Sequence, residues 1–409
     1  MHVCFLSTYF PQPCGIASYT HYLAEALCSL DPSLHVTLLA EKPAQPQPNA
    51  LYHIWNAFTS EGNYPAAVIA HVEAIDPDIV HIQHEYGIFG IDDRFHRLLA
   101  QLRDCRAHTI VTLHTVHTRL SFHPGCAQPH MRHLLRTVDI EEYQRRIGDL
   151  ADLIIVHQES SIRQVLLRQG LSPKGVVMVP HGTRVLQPPV VPEAKRALGF
   201  APETPVIVAF GYFERSKNLL VLIEAFRRVK AHVPSAKLWL GGYVRFLAPR
   251  TLAYREQCLR LIEAHGLSDD VVFTDRMTPE EQVPQVLAAA DVACFVYNED
   301  THSSSGALHL AMGQGKAVVA SRIPKFQELA EVSDEILVNP RSVGELSRLL
   351  KRLLLDEPFR RSIEQRVRLY AQHTAWPSVA RTQRAIYDRL ISLQRPATSR
   401  NQNYTGWSR

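Results

Sequence analysis

Short apolar segments alternate with amphipathic segments along the whole chain. Residues 2–6 and 35–39 are largely apolar stretches of strand length, and residues 18–30 between them carry apolar side chains at helical spacing. Continuous apolar strands separated by helices are typical of a parallel sheet that is covered on both faces. The first half of the chain is therefore predicted to be α/β, with further strands at 79–82, 109–113, 153–156 and 176–179.

The same alternation starts again after a proline-rich segment at 187–192, for which an extended connector is expected. We therefore predict two successive doubly wound, Rossmann-like domains. In this architecture ligands bind at the carboxyl ends of the strands, so two facing domains enclose a cleft. The second set of elements comprises strands at 206–210, 237–240 and 271–273 and helices at 219–229 and 255–265.

The proline-rich connector sets the predicted domain boundaries. The first domain covers residues 1–186, the second covers 187–375, and 396–409 form a polar tail. A long helical region follows residue 343, and Pro377 is expected to kink or break it because proline removes a helical hydrogen bond.

Composition narrows the classes of protein to consider. The chain has 409 residues, 46% hydrophobic and 21% charged residues and a net charge of +4, which is typical of a folded soluble protein and gives no indication of a nucleic-acid partner. No apolar run reaches the roughly 18–20 residues that span a bilayer, and no signal peptide is recognised. The seven cysteines are scattered without a C-x-x-C pair, so a cytoplasmic protein without a structural zinc site is expected.

The most informative motif is a run of small hydroxyl residues that precedes a helix-like segment. It consists of His302, Ser303, Ser304, Ser305 and Gly306, which we call the serine loop. Such residues at a helix start leave the first backbone amides facing a ligand, and the amides and the helix dipole suit a phosphate. The alternative is an ordinary serine N-cap.

Two cations follow the first strand of the second half. Arg215 and Lys217 lie in the short loop after Gly211 and before the next helix, which puts them at the carboxyl-end face of the sheet. Arginine offers a planar fork and lysine a compact charge, and both suit a diphosphate. A solvated charged loop is the alternative.

Polar and aromatic side chains also end two strands of the first half. His84, Glu85 and Tyr86 follow one strand and are candidates for binding the sugar hydroxyls of an acceptor, and His114 ends the next strand at the same edge of the sheet. Gly15, in the first strand-to-helix loop, permits close approach of a ligand to the backbone. A structural role for each is the alternative. Asp76-Pro77-Asp78 precedes its strand and is interpreted as a turn, not a metal site.

Taken in chain order, these motifs resemble glycosyltransferase family 4, the group-1 transferases with the GT-B fold. The resemblance covers almost the whole chain and depends on the ordered set of motifs. The matching elements are Cys14-Gly15, His114 after a strand, Val179-Pro180-His181-Gly182-Thr183, Gly211 with Lys217, the serine loop with Gly315-Lys316-Ala317-Val318-Val319, and Trp376 followed by Tyr387.

The resemblance implies an activity as well as a fold. In that family the first domain holds the acceptor, the second holds a nucleotide-sugar, and a terminal helix, here about 376–395, crosses back onto the first domain. It implies metal-independent transfer with retention from a UDP- or GDP-hexose to a saccharide or lipid-linked acceptor, without a permanently bound cofactor. His114 would contact the transferred sugar. Lys217, with Arg215 and the amides of the serine loop, would hold the departing diphosphate.

The chain departs from the family at the donor site. The two family glutamates are replaced by His302 and Leu310, and the arginine after Gly211 is replaced by Tyr212. Each lost charged hydrogen bond should cost on the order of 1.5–3 kcal/mol. Family members with H-E-Y-G-I-F-G and a serine-rich loop resemble the chain more closely, which indicates a variant donor site. A non-catalytic sugar- or nucleotide-binding relative and a sugar-nucleotide epimerase remain as alternatives.

A cluster of arginines in the first half leaves two interpretations open. It could contact anionic lipid headgroups, which would place a cytoplasmic protein at the inner membrane face, or it could be a solvated surface. The oligomeric state does not follow from the sequence. The cluster comprises Arg94, Arg97, Arg103, Arg132, Arg136, Arg145 and Arg146.

Overall fold

The computed structural model describes residues 1–12, 14–46, 50–122, 138–187, 190–244, 248–276, 278 and 282–393, which form two α/β domains. The first domain is built on a seven-stranded parallel sheet with the strand order β3-β2-β1-β4-β5-β7-β8. Its strands are β1 (His2–Ser7), β2 (His35–Glu41), β3 (His53–Phe58), β4 (Ile79–His84), β5 (His108–Leu113), β7 (Leu153–Val156) and β8 (Val176–Met178).

Helices cover both faces of this sheet, and two apolar clusters form its core. The inner strands of the sheet are buried because each is paired on both sides and packed under helices, which explains their continuous apolar sequences. The α/β prediction for the first half is confirmed. The helices are α1 (Gly15–Leu30), α2 (Tyr64–Ile75), α3 (Tyr86–Phe89), α4 (Arg94–Leu102), α5 (Ile140–Leu150) and α6 (Gln164–Arg168).

The second domain repeats the architecture with a six-stranded parallel sheet of order β11-β10-β9-β12-β14-β15. Its strands are β9 (Val206–Phe210), β10 (Lys237–Gly241), β11 (Val271–Phe273), β12 (Val292–Phe295), β14 (Ala317–Ser321) and β15 (Leu337–Val338). Its helices are α7 (Val191–Ala197), α8 (Leu219–Lys230), α9 (Pro249–Ala264), α10 (Val283–Ala289), α11 (Gly306–Gly313), α12 (Val343–Leu355) and α13 (Glu357–His373).

The proline-rich connector is shorter than expected. The prediction of an extended segment at 187–192 is wrong at its end, because α7 begins at Val191 with Pro192 in its first turn. Proline is accepted there, since the first helical amides have no intrahelical acceptor in any case. Residues 188 and 189 lie outside the described residues.

The last helix returns to the first domain. Helix α14 (Trp376–Ser392) is separated from α13 by a break, and Pro377 lies in its first turn, as the sequence predicts. Its buried face packs against α1 and the strands of the first sheet. The hydroxyl of Tyr387 lies 2.7 Å from Nδ1 of His81 on β4, which fixes the helix to the sheet. The predicted polar tail at 396–409 lies outside the described residues.

A short antiparallel strand pair joins the two domains across the cleft. Strand β6 (Thr115–Val116) follows β5 of the first domain, and β13 (His302–Ser303) is the beginning of the serine loop. Thr115 pairs with Ser303, and Val116 pairs with His302. The serine loop is therefore attached to the first domain as well as to the second.

Within residues 1–393, apart from the gaps given above, no helix is both long enough and apolar enough to cross a bilayer.

Candidate active site

The carboxyl ends of β9 and β12 form a small cavity at the cleft face of the second domain. Gly211, Lys217 and Tyr297 are among its lining residues. The Nζ atom of Lys217 lies 3.7 Å from the centroid of the Tyr297 ring, a cation–π contact. Gly211 has φ +141°, and a Cβ there would lie 3.9 Å from Cε of Lys217 and 3.8 Å from the Tyr297 hydroxyl. The cavity thus brings two of the predicted donor residues together.

The side chain of Lys217 is partly buried. Burial lowers the pKa of its ammonium group, and the nearby carboxylates of Glu299 and Glu214 oppose that shift. Among the residues described, no carboxylate lies within ion-pair distance of this ammonium group, which faces an aromatic ring instead. Lys217 is therefore a cation that a ligand anion can approach.

A second lysine lies beside this cavity and was not predicted from the sequence. Nζ of Lys325 lies 3.1 Å from Oε1 of Glu299, and their side chains are only 14% and 17% exposed. Burial would raise the pKa of Glu299, but Lys325 and Lys217 outweigh it and hold that pKa below its usual range. Lys325 follows β14, so its position after the apolar segment 317–320 is the signal in the sequence that could identify it.

The serine loop leads directly into α11. Ser305 is the N-cap, and its hydroxyl accepts a hydrogen bond from the amide of Leu308 at 3.3 Å. The first intrahelical bond runs from the amide of His309 to the carbonyl of Ser305, so the amides of Gly306 and Ala307 precede it. Gly306 is exposed. The N-cap interpretation is therefore correct, and it leaves the anion-binding interpretation open, since capping uses only one amide.

His302 is placed differently from the prediction. Its Nδ1 atom donates a hydrogen bond to the carbonyl of Ser161 in the first domain at 2.6 Å, and its backbone pairs with Val116. This imidazole therefore fixes the serine loop to the first domain. Leu310, at the other family glutamate position, packs against the core of the second domain.

Gln158, at the end of β7, is a second residue that the sequence did not indicate. Its Nε2 donates to the carbonyl of Lys325 at 2.9 Å and to Oγ of Ser304 at 3.3 Å. One buried amide of the first domain thus holds both the serine loop and the segment that carries Lys325. No motif signals this role, because a glutamine after a strand is common in both loops and cores.

His114 belongs to a group of buried imidazoles between the domains. Its Nε2 donates to Oε1 of Gln83 at 2.8 Å, and its Nδ1 lies 3.2 Å from Nε2 of His157. Burial lowers the pKa of His114 well below its usual value. The ring of Tyr19 packs edge-on against it, with centroids 4.7 Å apart. His114 directly precedes β6, so it lies next to the strand pair that holds the serine loop.

His181 extends this group to the start of α11. Its ring stacks on His309 with centroids 4.5 Å apart, and its Nδ1 donates to the carbonyl of Gly182 at 2.9 Å. Its Nε2 lies 3.9 Å from the position that a Cβ on Gly306 would take. His309 in turn donates to Oε2 of Glu328 at 3.2 Å. His181 matches a family motif in the sequence, but its contact with the serine loop follows only from the structure.

Of the three residues predicted to bind the acceptor, two lie in the core of the first domain and one, Glu85, is only half-buried. His84 is fully buried among the rings of Tyr86, Phe89 and Phe95, and neither of its ring nitrogens has a hydrogen-bond partner among the described residues. Tyr86 is 2% exposed, and its hydroxyl donates to Gln144 at 2.7 Å. Both lie in the core of the first domain, which corrects the prediction that they contact an acceptor.

Glu85 is placed where a ligand of the cleft could reach it. It is half-buried, and its Oε2 accepts a hydrogen bond from Oγ1 of Thr115 at 2.8 Å. Thr115 also pairs with Ser303 of the serine loop, so Thr115 connects Glu85 to that loop.

Two further predicted residues lie apart from the Lys217 cavity. Arg215 is exposed, and its guanidinium lies 5.9 Å from the ring of Tyr254 on α9, so the structure does not pair it with Lys217. Gly15 is the first residue of α1 in the first domain. It is exposed, and a Cβ there would meet no atom within 4 Å. The space around Gly15 is open to a ligand.

One family model matches a segment of the second domain. Residues 204–356 match the model of the family described as glycosyl transferases group 1. This segment contains β9, the Lys217 loop, the serine loop and Lys325.

Curated glycosyltransferases align with this chain over longer segments. The D-inositol 3-phosphate glycosyltransferase of Corynebacterium aurimucosum is 26% identical over 336 residues, which cover 79% of this chain and 74% of that protein. The MMP alpha-(1->4)-mannosyltransferase of Mycolicibacterium hassiacum is 28% identical over 258 residues, which cover 61% of this chain and 57% of that protein.

Solved structures show the same fold over nearly the whole chain. Sucrose-phosphate synthase from Thermosynechococcus elongatus superposes with a TM-score of 0.74 at 20% identity, covering 96% of this chain and 100% of that one. HepE from Anabaena, solved in complex with UDP-glucose, has a TM-score of 0.68 at 18% identity and covers 96% and 100% of the two chains. By its fold and by these relatives the chain is a glycosyltransferase with the GT-B fold, and residues 204–356 carry its match to the group 1 family.

Proposed function

We propose that this chain transfers a hexose from a nucleoside diphosphate sugar to a saccharide or lipid-linked acceptor, with retention and without a metal ion. One observation carries the proposal. The ammonium group of Lys217 lies over Tyr297 in a cavity that Gly211 also lines, at the cleft face of the domain with the family match.

The chemistry of this arrangement suits a departing diphosphate. When the bond from the sugar to the donor phosphate breaks, negative charge grows on the leaving oxygen. A fixed cation and free helix amides aimed at that charge stabilise the transition state more than the ground state. Lys217 supplies the cation, and the amides of Gly306 and Ala307 with the dipole of α11 supply the donors.

The first domain is proposed to hold the acceptor. His114 and Glu85 lie on it and adjoin the strand pair that carries the serine loop, while Gly15, at the start of α1, is proposed to contact the donor. Contact between His114 and the transferred sugar follows from the family resemblance. Such contact requires that His114 exchange its bond to Gln83 for one to the sugar, because that bond occupies Nε2.

Leu310 supports a second candidate function. Its side chain packs into the core, so it leaves no carboxylate for the ribose where the family has one. A chain that binds a sugar or nucleotide without transferring hexose is consistent with this loss. An altered donor preference is the consequence under the main proposal.

The distinguishing experiment is a donor panel. The full chain is incubated with UDP- and GDP-hexoses, with and without a set of saccharide acceptors, in the presence and absence of EDTA, and the products are measured by mass spectrometry. The proposal expects donor hydrolysis or transfer with one nucleotide that EDTA does not abolish, and a product whose anomeric configuration by NMR equals that of the donor. Binding by calorimetry without turnover contradicts it in favour of the binding protein, and conversion of a donor into its epimer contradicts it in favour of the epimerase.

Peripheral membrane contact is proposed only together with a lipid-linked acceptor. Part of the arginine cluster is already neutralised, since Arg94 pairs with Asp92 at 2.9 Å and Arg97 with Asp93 at 3.4 Å. Arg132 and Arg136 lie outside the described residues. Sedimentation with anionic vesicles, compared with neutral vesicles, tests the contact directly, and equal sedimentation contradicts it.

A further inference from the structure

Two lysines lie near one carboxylate beside the proposed donor site, and one of them forms an ion pair with it. Lys217, Glu299 and Lys325 follow β9, β12 and β14, which are neighbours in the second sheet. Because the strands are parallel, the three loops end at the same edge. Chain topology therefore brings together three charged groups that are far apart in the sequence.

We infer that Lys325 is a second phosphate-binding cation of the donor site, and that Glu299 is a temporary counter-ion that the donor diphosphate displaces. This inference rests on the proposed function. It assigns the cation role to a residue outside the loop that carries Lys217.

The charge balance of the group argues for an incoming anion. The side chains of Lys325 and Glu299 are only 14% and 17% exposed, and Lys217 adds a second ammonium group that has no carboxylate within ion-pair distance among the described residues, although Glu299 and Glu214 lie near enough to raise its pKa. Buried charges need partners, and a diphosphate offers several oxygens where Glu299 offers two. A diphosphate has enough oxygens to bind two ammonium groups, whereas Glu299 lies within ion-pair distance of Lys325 alone among the residues described.

Glu299 has Lys325 as its ion-pair partner among the described residues. Its Oε1 lies 3.1 Å from Nζ of Lys325 and has no hydrogen-bond partner of good geometry among those residues. A buried ion pair gains little net free energy, because desolvation offsets the attraction. The pair can therefore exchange for a better anion.

The position of Lys325 is fixed by its backbone and not by its charge. Its carbonyl accepts the hydrogen bond from Gln158, the same side chain that binds Ser304. Lys325 and the serine loop therefore keep their mutual position if Glu299 is displaced. Arg215, the other cation near Lys217 in the sequence, lies over Tyr254, and Tyr212 lines the cavity without a charge.

Inorganic pyrophosphate tests this inference because it carries the phosphate charge without a base or sugar. Its binding to the full chain is measured by calorimetry, with UDP and GDP in parallel, for the wild type and for Lys325→Met, Lys325→Arg, Glu299→Gln and the exposed control Lys174→Met. We expect Lys325→Met to weaken pyrophosphate binding about tenfold to hundredfold. Lys325→Arg should stay near the wild type, and Glu299→Gln should bind pyrophosphate more tightly, because the competing anion is removed.

Lys325→Met and Glu299→Gln are expected to change the affinity for pyrophosphate in opposite directions, and this difference separates a binding role of the pair from a structural one. If the pair only supports the fold, Glu299→Gln and Lys325→Met will both lower the melting temperature and weaken pyrophosphate binding, and the inference is overturned. Unchanged affinity in Lys325→Met overturns it as well. A wild type that binds none of the three probes refutes the donor site itself. A wild type that turns over a nucleotide-sugar while Lys325→Met binds pyrophosphate normally refutes only the role of Lys325.

Discussion

The ammonium nitrogen of Lys217 lies 3.7 Å from the centre of the Tyr297 ring, although the two residues follow different strands of the second sheet. The ring provides a partner for the cation that does not neutralise its charge. A lysine held in this way is positioned before a ligand arrives, so little ordering is needed when an anion binds. Gly211 lines the same cavity, and its φ of +141° is a backbone conformation that favours glycine.

Replacing Lys217 should abolish most of the turnover. For Lys217→Ala we expect a fall in turnover of about 100-fold or more, because one preorganised group that stabilises a leaving oxyanion contributes on that scale. The measurement is the initial rate with the donor found in the panel. Lys174→Ala, an exposed lysine of the first domain, is the control and should keep the wild-type rate and melting temperature. A folded Lys217→Ala variant with the rate of the control contradicts the assigned role.

Acid should destabilise the folded chain well before its carboxylates titrate. Burial lowers the pKa of His81 and of His84 to about 3 and that of His157 to about 4. In the unfolded chain each should titrate near about 6.5, so between about pH 6.5 and 4 the unfolded state binds more protons. The free energy of unfolding should then fall as the pH falls through this window, by up to about 1.4 kcal/mol per pH unit for each residue. Urea unfolding at several pH values measures it, and a flat profile contradicts the burial of these imidazoles.

The unpartnered imidazole of His84 gives a sharper version of this test. It is enclosed by aromatic rings and has no hydrogen bond to any residue that the structure describes, so His84→Leu removes an unsatisfied polar group whose burial costs about 1–3 kcal/mol. We expect equal or greater stability at pH 7, a shallower loss of stability in acid, and unchanged transfer activity. Loss of activity in a stable variant would revive the role in acceptor binding that its burial argues against.

Gly182 should not tolerate a side chain. It lies against the indole of Trp376, where the chain crosses between the domains, and a Cβ at this position would overlap the ring. We expect Gly182→Ala to lower the free energy of unfolding by about 1–3 kcal/mol, because a well-packed contact has no room for an added methyl group. Gly175→Ala is the matched control, since its Cβ would meet only Ser172 at an ordinary 3.9 Å. Equal melting temperatures for the two variants would contradict the close packing.

Gln158 should control how firmly the domains hold the serine loop. Gln158→Ala removes the bonds to Ser304 and to the carbonyl of Lys325, so we expect faster hydrogen exchange at residues 302–306 and an increase in the donor KM of several-fold. The exposed Gln101 offers a control, and Gln101→Ala should leave both quantities unchanged. Unaltered exchange in Gln158→Ala would show that the strand pair alone fixes the loop.

Much of the fold could be predicted because its signals are local. Apolar runs of strand length and helical spacing located most of the central strands, and Pro377 located the break before α14. The strand β3 was not predicted, because it lies at the edge of the sheet and only its last two residues are buried, so it lacks a continuous apolar run. The convergence of Gly211 and Lys217 could also be anticipated, since seven residues of one loop must stay near the end of one strand.

What the sequence alone determined was therefore the set of elements, their order and the edges at which their loops meet. The directions of individual side chains were decided by the tertiary structure. Adjacent residues of a strand point to opposite faces, so Gln83 reaches His114 while His84 enters the aromatic core, and residue type does not indicate which goes where. The contact of Gln158 with Lys325 joins residues 167 positions apart, and it exists only because the two domains close on each other. Local patterns do not encode such contacts, because their free energy depends on the packing of the whole chain.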